Sequence, residues 1–309
     1  MNLSVEWPLV RASVRAPVLG DEVVSNPSMV ARELEELKQR VPSMRDRVGR
    51  KAWERAVTPR LPFGAKADVA SRAYHKMREM QQTCGLARAS GLTVHLCEAP
   101  GGFVQAVGDD EPAPDWTWIA VSLGEGPSPA LDKVPTDRGH FVEGDVFDHD
   151  WCATVLPTHT ACLVTADGAW DLEHDRLEAA HLPLLHAETF AALRCLRENG
   201  DFVTKFFEGL KHGTQNWIAY MTTRFRSVGI VKPLTSRPTN SERYLVCRGF
   251  CADLPPDLHP DRMTVAAAWR ADLVRIVDRM ATDQITELRR VFAILDQTLR
   301  RVPPPVQVP

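Results

Sequence analysis

No run of the chain approaches the eighteen or so apolar residues that a membrane-spanning helix needs, and the N-terminus carries no signal-peptide pattern. A soluble, intracellular protein is expected, in the nucleus or cytoplasm, of cellular or viral origin. Cysteine pairs spaced CxxC are absent, as is any histidine spacing typical of zinc. The seven cysteines lie among apolar neighbours, as at Cys97, Cys162, Cys195 and Cys247, and read as reduced core residues with no metal called for. The dinucleotide fingerprint GxGxxG is also missing, which disfavours a nicotinamide cofactor. There is no internal repeat and no low-complexity block.

Net charge is small too. A value of −3 over 309 residues argues against a general polyanion binder. It conceals three blocks of alternating sign: residues 1–91 hold 16 Lys/Arg against 10 Asp/Glu, residues 108–178 hold 3 against 16, and residues 202–250 hold 8 against 2. Two basic segments around an acidic one fit a short anionic substrate better than a long duplex.

What is present reads as alternation. Residues 1–30 show no sustained period and carry Pro8, Pro17 and Pro27, which predicts an irregular arm. Helical spacing follows at 28–39, stopped by Pro42, then at 44–57 and at 65–89, the last containing Lys76. Short apolar strands are predicted at 92–97, 116–121, 139–142, 160–166 and 202–206. Between them a helix opens at 103–107, a long one covers 177–198 and is capped by Asn199-Gly200, and another covers 214–225. The series ends in an antiparallel pair, which means a doubly wound α/β sheet. Beyond a Pro- and Asp-rich connector at 252–261, apolar residues at helical spacing over 265–299 predict one long helix or two, serving core packing or a protein partner. A Pro-rich tail from Val302 is expected to be disordered. The chain divides into an N-terminal arm and helices (1–64), a core (65–250) and a C-terminal helical extension (251–309).

The antiparallel pair is the densest polar feature. Residues 232–250, KPLTSRPTNSERYLVCRGF, read as β-runs around a turn in which Ser236, Arg237, Asn240, Ser241, Glu242 and Arg243 exceed what turning requires. The surplus points to a site; a solvated loop is the plainer reading.

Ligands of open α/β sheets bind beyond the carboxyl ends of the strands. There stand Pro100-Gly101-Gly102, where the backbone can approach a ligand with a helix N-terminus behind it. Asp145 ends the third strand, where it can accept from an adenine amino group or cap its turn. Asp167 and Lys205 end the fourth and fifth, and a lysine there is costly to bury unless paired. With Lys76 and Glu242 the tally is two lysines and two carboxylates. A second ammonium and partial desolvation would depress one lysine towards neutrality and make it a general base, oriented by the carboxylates, whereas structural ion pairing is the plainer alternative.

In order and context, Lys76, Asp167, Lys205 and Glu242 resemble the Lys-Asp-Lys-Glu tetrad of the FtsJ/RrmJ-like ribose 2'-O-methyltransferases. APGGF at 99–103 resembles their S-adenosylmethionine loop and GDV at 144–146 their adenine-contacting turn. KPLTSRPTNSERYLVC and SRAYHKM look like the mRNA cap-specific branch of eukaryotes and large DNA viruses. The resemblance covers about residues 65–250. It implies a Rossmann-like methyltransferase fold, a doubly wound, seven-stranded, mostly parallel sheet with an antiparallel terminal hairpin, here with helical additions at both ends. It implies S-adenosylmethionine as cofactor, near Glu98, Ala99, Pro100, Gly101, Gly102, Phe103, Ser122, Leu123, Asp145, Val146 and Asp167. The implied partner is RNA, a capped mRNA 5' end, touched by Ser236, Arg237, Asn240 and Arg243, with Lys205 as base and Trp53, Trp170 or Trp217 available to stack on a methylated guanine.

Two departures accompany the match. The second strand ends in Val121-Ser122-Leu123 where many methyltransferases place an acidic residue for the cofactor ribose, so Glu125 or a backbone group substitutes. Glu98 either contacts the methionine end of the cofactor or caps a turn. The rival expectations are an rRNA or tRNA 2'-O-methyltransferase and a non-catalytic methyltransferase-like subunit.

Overall fold

The computed structural model describes residues 4–6, 14–15, 28–59, 65–86, 88–169, 177–252 and 264–301. Trp170, most of the 252–261 connector and the tail from Val302 lie outside the described residues.

Five parallel strands form the centre: β3 (Leu92–Leu96), β4 (Thr117–Ser122), β5 (Gly139–Glu143), β6 (Ala161–Ala166) and β7 (Leu196–Phe207). The terminal hairpin, β8 (Phe225–Lys232) and β9 (Glu242–Phe250), joins antiparallel, with β9 inserted between β7 and β8. These are the seven expected strands. The sheet gains an eighth, β1 (Ser4–Glu6), antiparallel to β8, giving the order β1-β8-β9-β7-β6-β3-β4-β5. A second short strand, β2 (Val14–Arg15), pairs with β10 (Thr264–Val265). The irregular arm predicted for residues 1–30 therefore contains strands. They are two or three residues long, too short for any period to show, and β1 covers backbone groups that the edge of β8 would otherwise leave unpaired.

The helices differ from expectation where a local backbone partner intervenes. Ser28 caps α1 (Met29–Gln39), its Oγ accepting from the Ala31 N–H at 3.1 Å. Pro42 does not simply stop that helix; it sits in the first turn of α2 (Val41–Val48), where its missing N–H costs nothing. The helix expected at 44–57 is broken at Gly49, φ 80°, so that α3 (Arg50–Val57) starts afresh. The helix expected at 65–89 shrinks to α4 (Ala73–Thr83) because the preceding backbone bonds to Gln105 instead: Ala70 N donates to Gln105 Oε1 (2.8 Å), and Gln105 Nε2 donates to Asp68 O (3.3 Å). After α5 (Gly102–Gly108) and α6 (His149–Val155), the long α7 (Leu177–Cys195) ends before Asn199-Gly200. That pair lies within an irregular start of β7, with Asn199 at φ 63°.

Buried side chains of α4 and α5, among them Met77, Met80, Phe103 and Val104, pack one face of the sheet against Val203 and Val246. The opposite face carries α7, α8 (His212–Arg224) and the first half of α9 (Ala267–Arg301) through Leu184, Trp217, Ile218, Leu273 and Val277. A single helix about 50 Å long at 1.5 Å per residue, α9 settles the choice between one helix and two. Its second half packs Ile285, Leu288 and Phe292 against Leu34, Leu37, Met44 and Trp53 of α1–α3. The two helical additions thus cover each other. The apolar spacing of the C-terminal helix, open at first to a protein partner, is used inside the chain. None of the helices is long and apolar enough to cross a membrane among the described residues, and the seven cysteines are all free thiols.

Candidate active site

Strand order reverses between β3 and β6, and a cavity of about 340 Å³ opens there beyond the strand ends. Cys97, Ala99, Ser122, Leu123, Asp145, Val146 and Asp167 line it, so six of the eleven residues expected near the cofactor are at its wall. Glu98, Pro100, Gly101, Gly102 and Phe103 are not among its lining residues. A Cβ on Gly102 would lie 2.4 Å from Ser71 Oγ and 2.9 Å from Tyr74 N, so this glycine admits the start of α4, not a ligand. Glu98 is buried and caps α5, with Oε1 accepting from Phe103 N (2.7 Å) and Val104 N (3.2 Å); burial raises its carboxyl to about 8 despite those bonds. Of the two readings for Glu98, the cap is the one observed. Ser122 Oγ accepts from Ala99 N (2.7 Å) and donates to Val121 O (2.8 Å), which locks the loop rather than presenting a free hydroxyl. Glu125 is exposed and is not among the lining residues.

Asp167 belongs both to this cavity and to the four-residue cluster. Lys205 Nζ lies 3.1 Å from Asp167 Oδ1 and donates to the Asp167 carbonyl at 2.6 Å. Lys76 Nζ donates to both Glu242 oxygens at 3.0 Å. The two ion pairs are joined by Tyr244, whose OH donates to Asp167 Oδ1 (2.8 Å) and accepts from Lys76 Nζ (2.9 Å). Burial and the neighbouring carboxylates Asp167 and Glu242 raise the Tyr244 phenol well above its usual range, so it stays protonated and can donate. The sequence-expected four are brought together, and the sheet explains how: Lys205 pairs with Tyr244 and Phe207 with Glu242 across β7 and β9.

The depressed lysine is not the one expected. Burial alone would push the Lys205 ammonium down, but Asp167 and Glu242 outweigh it and raise Lys205 above its ordinary value. Lys232, which the sequence reading did not single out, is the lysine lowered to about 7, by burial first and then by Arg243 and Lys76. Its Nζ donates to Ser236 Oγ (3.0 Å), Asn240 O (2.9 Å), Asn240 Oδ1 and Glu242 O (2.7 Å), stitching the β8–β9 turn to the end of β9. Burial would raise Glu242; the three lysines Lys76, Lys205 and Lys232 overcome it and hold the carboxylate ionised below its usual range.

Three of the four expected RNA contacts are engaged in hydrogen bonds within the protein. Ser236 donates to Glu242 Oε1 at 2.8 Å, and Asn240 holds Lys232. Arg243 is 2% exposed, with its guanidinium donating to the carbonyls of Glu208 and, at 3.4 Å, Val277. Arg243 is therefore a buried tie between β9 and α9, not an RNA contact: β9 is an interior strand covered on both faces. Arg237 and Asn240 remain half-exposed, and among the described residues Arg237 forms no close ion pair, although its charge reaches Glu54. Beside Arg237, Arg72 Nη2 donates to Thr235 O at 3.0 Å, and burial and then the Arg237 charge lower its pKa. Trp53 (9% exposed) and Trp217 (0%) are core residues, so neither can stack on a cap. Lys232 and Tyr244 were the residues missed; alternation along β9 from Glu242 to Tyr244 was the available signal.

Residues 69–250 match the FtsJ-like methyltransferase family, and the chain belongs to it. The methyl donor of that family is S-adenosylmethionine. The chain is 32% identical over 225 residues to a cap-specific mRNA (nucleoside-2'-O-)-methyltransferase 2 of Danio rerio, the match taking in 63% of this chain and 30% of that one. A cap-specific mRNA (nucleoside-2'-O-)-methyltransferase of Autographa californica nuclear polyhedrosis virus is 29% identical over 185 residues, covering 57% and 71%. A ribosomal RNA large subunit methyltransferase E of Dichelobacter nodosus is 32% identical over 195 residues, covering 58% and 84%. The chain thus spans under a third of the length of the Danio rerio relative.

The cavity fits that donor on its own features. Leu123 (54% exposed) and Phe147 (40%) offer apolar surface for a flat base, the Asp145 carboxylate, which accepts from Phe147 N at 2.9 Å, belongs to the same lining, and Asp167 adds a carboxylate that suits a sulfonium.

Proposed function

We propose that the protein methylates the ribose 2'-OH of RNA, at the first transcribed nucleotide beside an mRNA cap. One observation carries the reading: Asp167 lines the donor cavity and also holds Lys205, so a hydroxyl bound between cavity and tetrad would face both the methyl donor and the base. S-adenosylmethionine supplies an electrophilic methyl group when bound. Lys205 would accept the hydroxyl proton as the ribose oxygen bonds to the methyl carbon and the carbon–sulfur bond breaks, its electron pair leaving with the neutral thioether. Lys205 must first be neutral, and it loses part of its carboxylate support when Asp167 also faces a sulfonium, because one carboxylate then serves two cations. Lys76 and Tyr244 fix Asp167 and Glu242, and Arg72 with Arg237 offers a seat for a flanking phosphate.

A second reading is ribosomal RNA methylation. The match to the Dichelobacter nodosus enzyme takes in 84% of that chain, a larger share than for the Danio rerio relative. The two readings separate on incubation with labelled S-adenosylmethionine and matched RNAs bearing a methylated cap, an unmethylated cap or a 5'-triphosphate, alongside ribosomal RNA. The cap assignment expects label at the first nucleotide of methyl-capped RNA; equal labelling of triphosphate RNA removes it. Lys205→Ala should abolish transfer with donor binding intact, and full activity in that variant would remove Lys205 as the base.

A further inference from the structure

Helices α2 and α3 carry Arg45, Arg47, Arg50, Lys51 and Arg55 against Asp46 and Glu54. Two of the five cations are paired, Arg50 with Glu54 at 2.8 Å and Arg47 with Asp296 at 3.7 Å. Arg45, Lys51 and Arg55 are exposed and have no carboxylate partner among the described residues. The helices that present them are anchored: Met44, Trp53 and Val57 are buried, and the Trp53 ring lies 6.3 Å from Phe292 of α9.

Their position relative to the tetrad follows from α9, whose Gln284 Nε2 donates to Thr239 O (3.1 Å) and Ser241 Oγ (3.2 Å) at the β8–β9 turn, while Ile285, Leu288 and Phe292 of the same helix cluster with Trp53 and Val57 of α3. The Glu54 carboxyl is lowered by the Arg50 hydrogen bond foremost, and also by Arg237. α3 and the β8–β9 turn thus both adjoin α9, and Glu54 is on the strip of α3 that the Arg237 charge reaches. Side chains four apart share a helix face, so Lys51 and Arg55 form the next strip, about 100° round. On the other side of Arg237, Arg72 is held by the Thr235 carbonyl. Arg72 and Arg237 repel one another in the free protein, and an anion between them relieves that repulsion. Arg72 and Arg237 thus add positive charge at the turn, which α9 joins to the layer carrying Arg45, Lys51 and Arg55. Across the donor cavity the sign is opposite: residues 108–178, which supply β4, β5 and α6, hold 3 Lys/Arg against 16 Asp/Glu.

We infer that Arg45, Lys51 and Arg55 form a track for the phosphates of single-stranded RNA whose target ribose sits at the tetrad. The choice of RNA as ligand rests on the function proposed above. A single strand fits because α3 is only eight residues long, about 12 Å, and the acidic block opposes a second strand.

The test is fluorescence anisotropy with 5'-labelled single-stranded RNAs of about 5 and about 20 nucleotides, within the range of single-strand site sizes, titrated across salt. The wild-type protein should bind the longer RNA at least about tenfold more tightly, as added phosphate contacts require. In the triple variant Arg45→Gln/Lys51→Gln/Arg55→Gln that advantage should vanish, with short-RNA binding unchanged. The slope of log K against log salt should fall by about 2, three contacts at roughly 0.7 each. An unchanged length advantage or slope overturns the track and leaves the charges to another partner, such as an acidic protein surface. Equal loss for both lengths also overturns it, since the charges would then act within the site. Labelled S-adenosylmethionine in the same samples keeps the two ideas apart: length-dependent binding without methylation sinks the methyltransferase function while the track stands.

Discussion

Replacing Lys38 by methionine should destabilise the protein and loosen the tetrad together. Lys38 Nζ lies 2.6 Å from Glu208 Oε1, with side-chain exposures of 6% and 7%, so α1 is pinned to the end of β7 by a buried ion pair. The same Oε1 accepts from Ser241 Oγ at 2.5 Å, and Ser241 in turn accepts from Gln284 Nε2 of α9 at 3.2 Å. Ser241 immediately precedes Glu242. Methionine keeps the apolar stem of the lysine and removes the ammonium, leaving a buried carboxylate with a hydroxyl for a partner. Breaking one side of a buried pair costs about 3–5 kcal/mol, and the lower end is expected because Ser241 still donates. At roughly 2 °C per kcal/mol for a chain of this size, Tm should fall by about 6 °C. The double variant Lys38→Met/Glu208→Gln removes the orphaned carboxylate, at the cost of the charge that offsets the buried Arg243, and should recover part of the loss. Thermal melts and urea titrations read both effects, and kcat on methyl-capped RNA should fall several-fold in the single variant. A Tm within 2 °C of wild type, or a double variant no better than the single, would refute the buried-charge argument.

Three further outcomes test the polar framework. Tyr244→Phe removes the bridge between Lys76 and Asp167 while keeping the ring against Phe103; kcat should drop by about tenfold, the weight of one hydrogen bond to a charged group, with donor affinity unchanged, as single-turnover assays and calorimetry would report. Lys232 is lowered in the folded state to about 7 from an ordinary 10.5, so the unfolded chain binds more protons between those values. Stability should therefore rise with pH from about 7 to about 10.5, and Lys232→Met should abolish that slope in urea midpoints. Glu242 has the opposite sign of case, a carboxyl held below its usual value. Its stabilisation is complete above the unfolded value near 4.3 and is lost as pH falls below it; Glu242→Gln should flatten the acid limb of the same titration.

The central strands were legible because each holds a short apolar run with a glycine or an acidic residue at its end or within two positions beyond it, and because alternation with helices leaves few topologies. The tetrad was legible through residue order. What escaped depended on long-range packing. Nothing local shows that Ser4–Glu6 adds to the edge of β8, or that Gln105 takes up the backbone that would have begun α4. Arg243 was misjudged because a charge in a hairpin suggests an exposed edge, whereas β9 runs between β7 and β8 under α9. The depressed lysine was anticipated as a type and assigned to the wrong residue. Lys205 has a carboxylate facing it; Lys232 is buried among carbonyls, a hydroxyl and an amide that bond to it without offsetting its charge as fully.

The polar surplus of the β8–β9 turn consequently has an internal purpose. Lys232 gathers Ser236, Asn240 and the Glu242 carbonyl, and Glu79 of α4 accepts from Leu234 N (2.7 Å), Thr235 N (3.0 Å) and Thr235 Oγ1 (2.8 Å). A turn tied at both ends cannot adapt to its substrate, and it holds Glu242 in register with Lys76 before any ligand arrives. Of its cations, only Arg237 is left to face RNA, and one guanidinium on a phosphate carries no sequence information. On the proposed function, any selection between capped and uncapped ends would have to come from surfaces beyond the turn; among the described residues the α1–α3 layer packed on α9 is joined to the tetrad by a buried chain, Lys38 to Glu208 to Ser241.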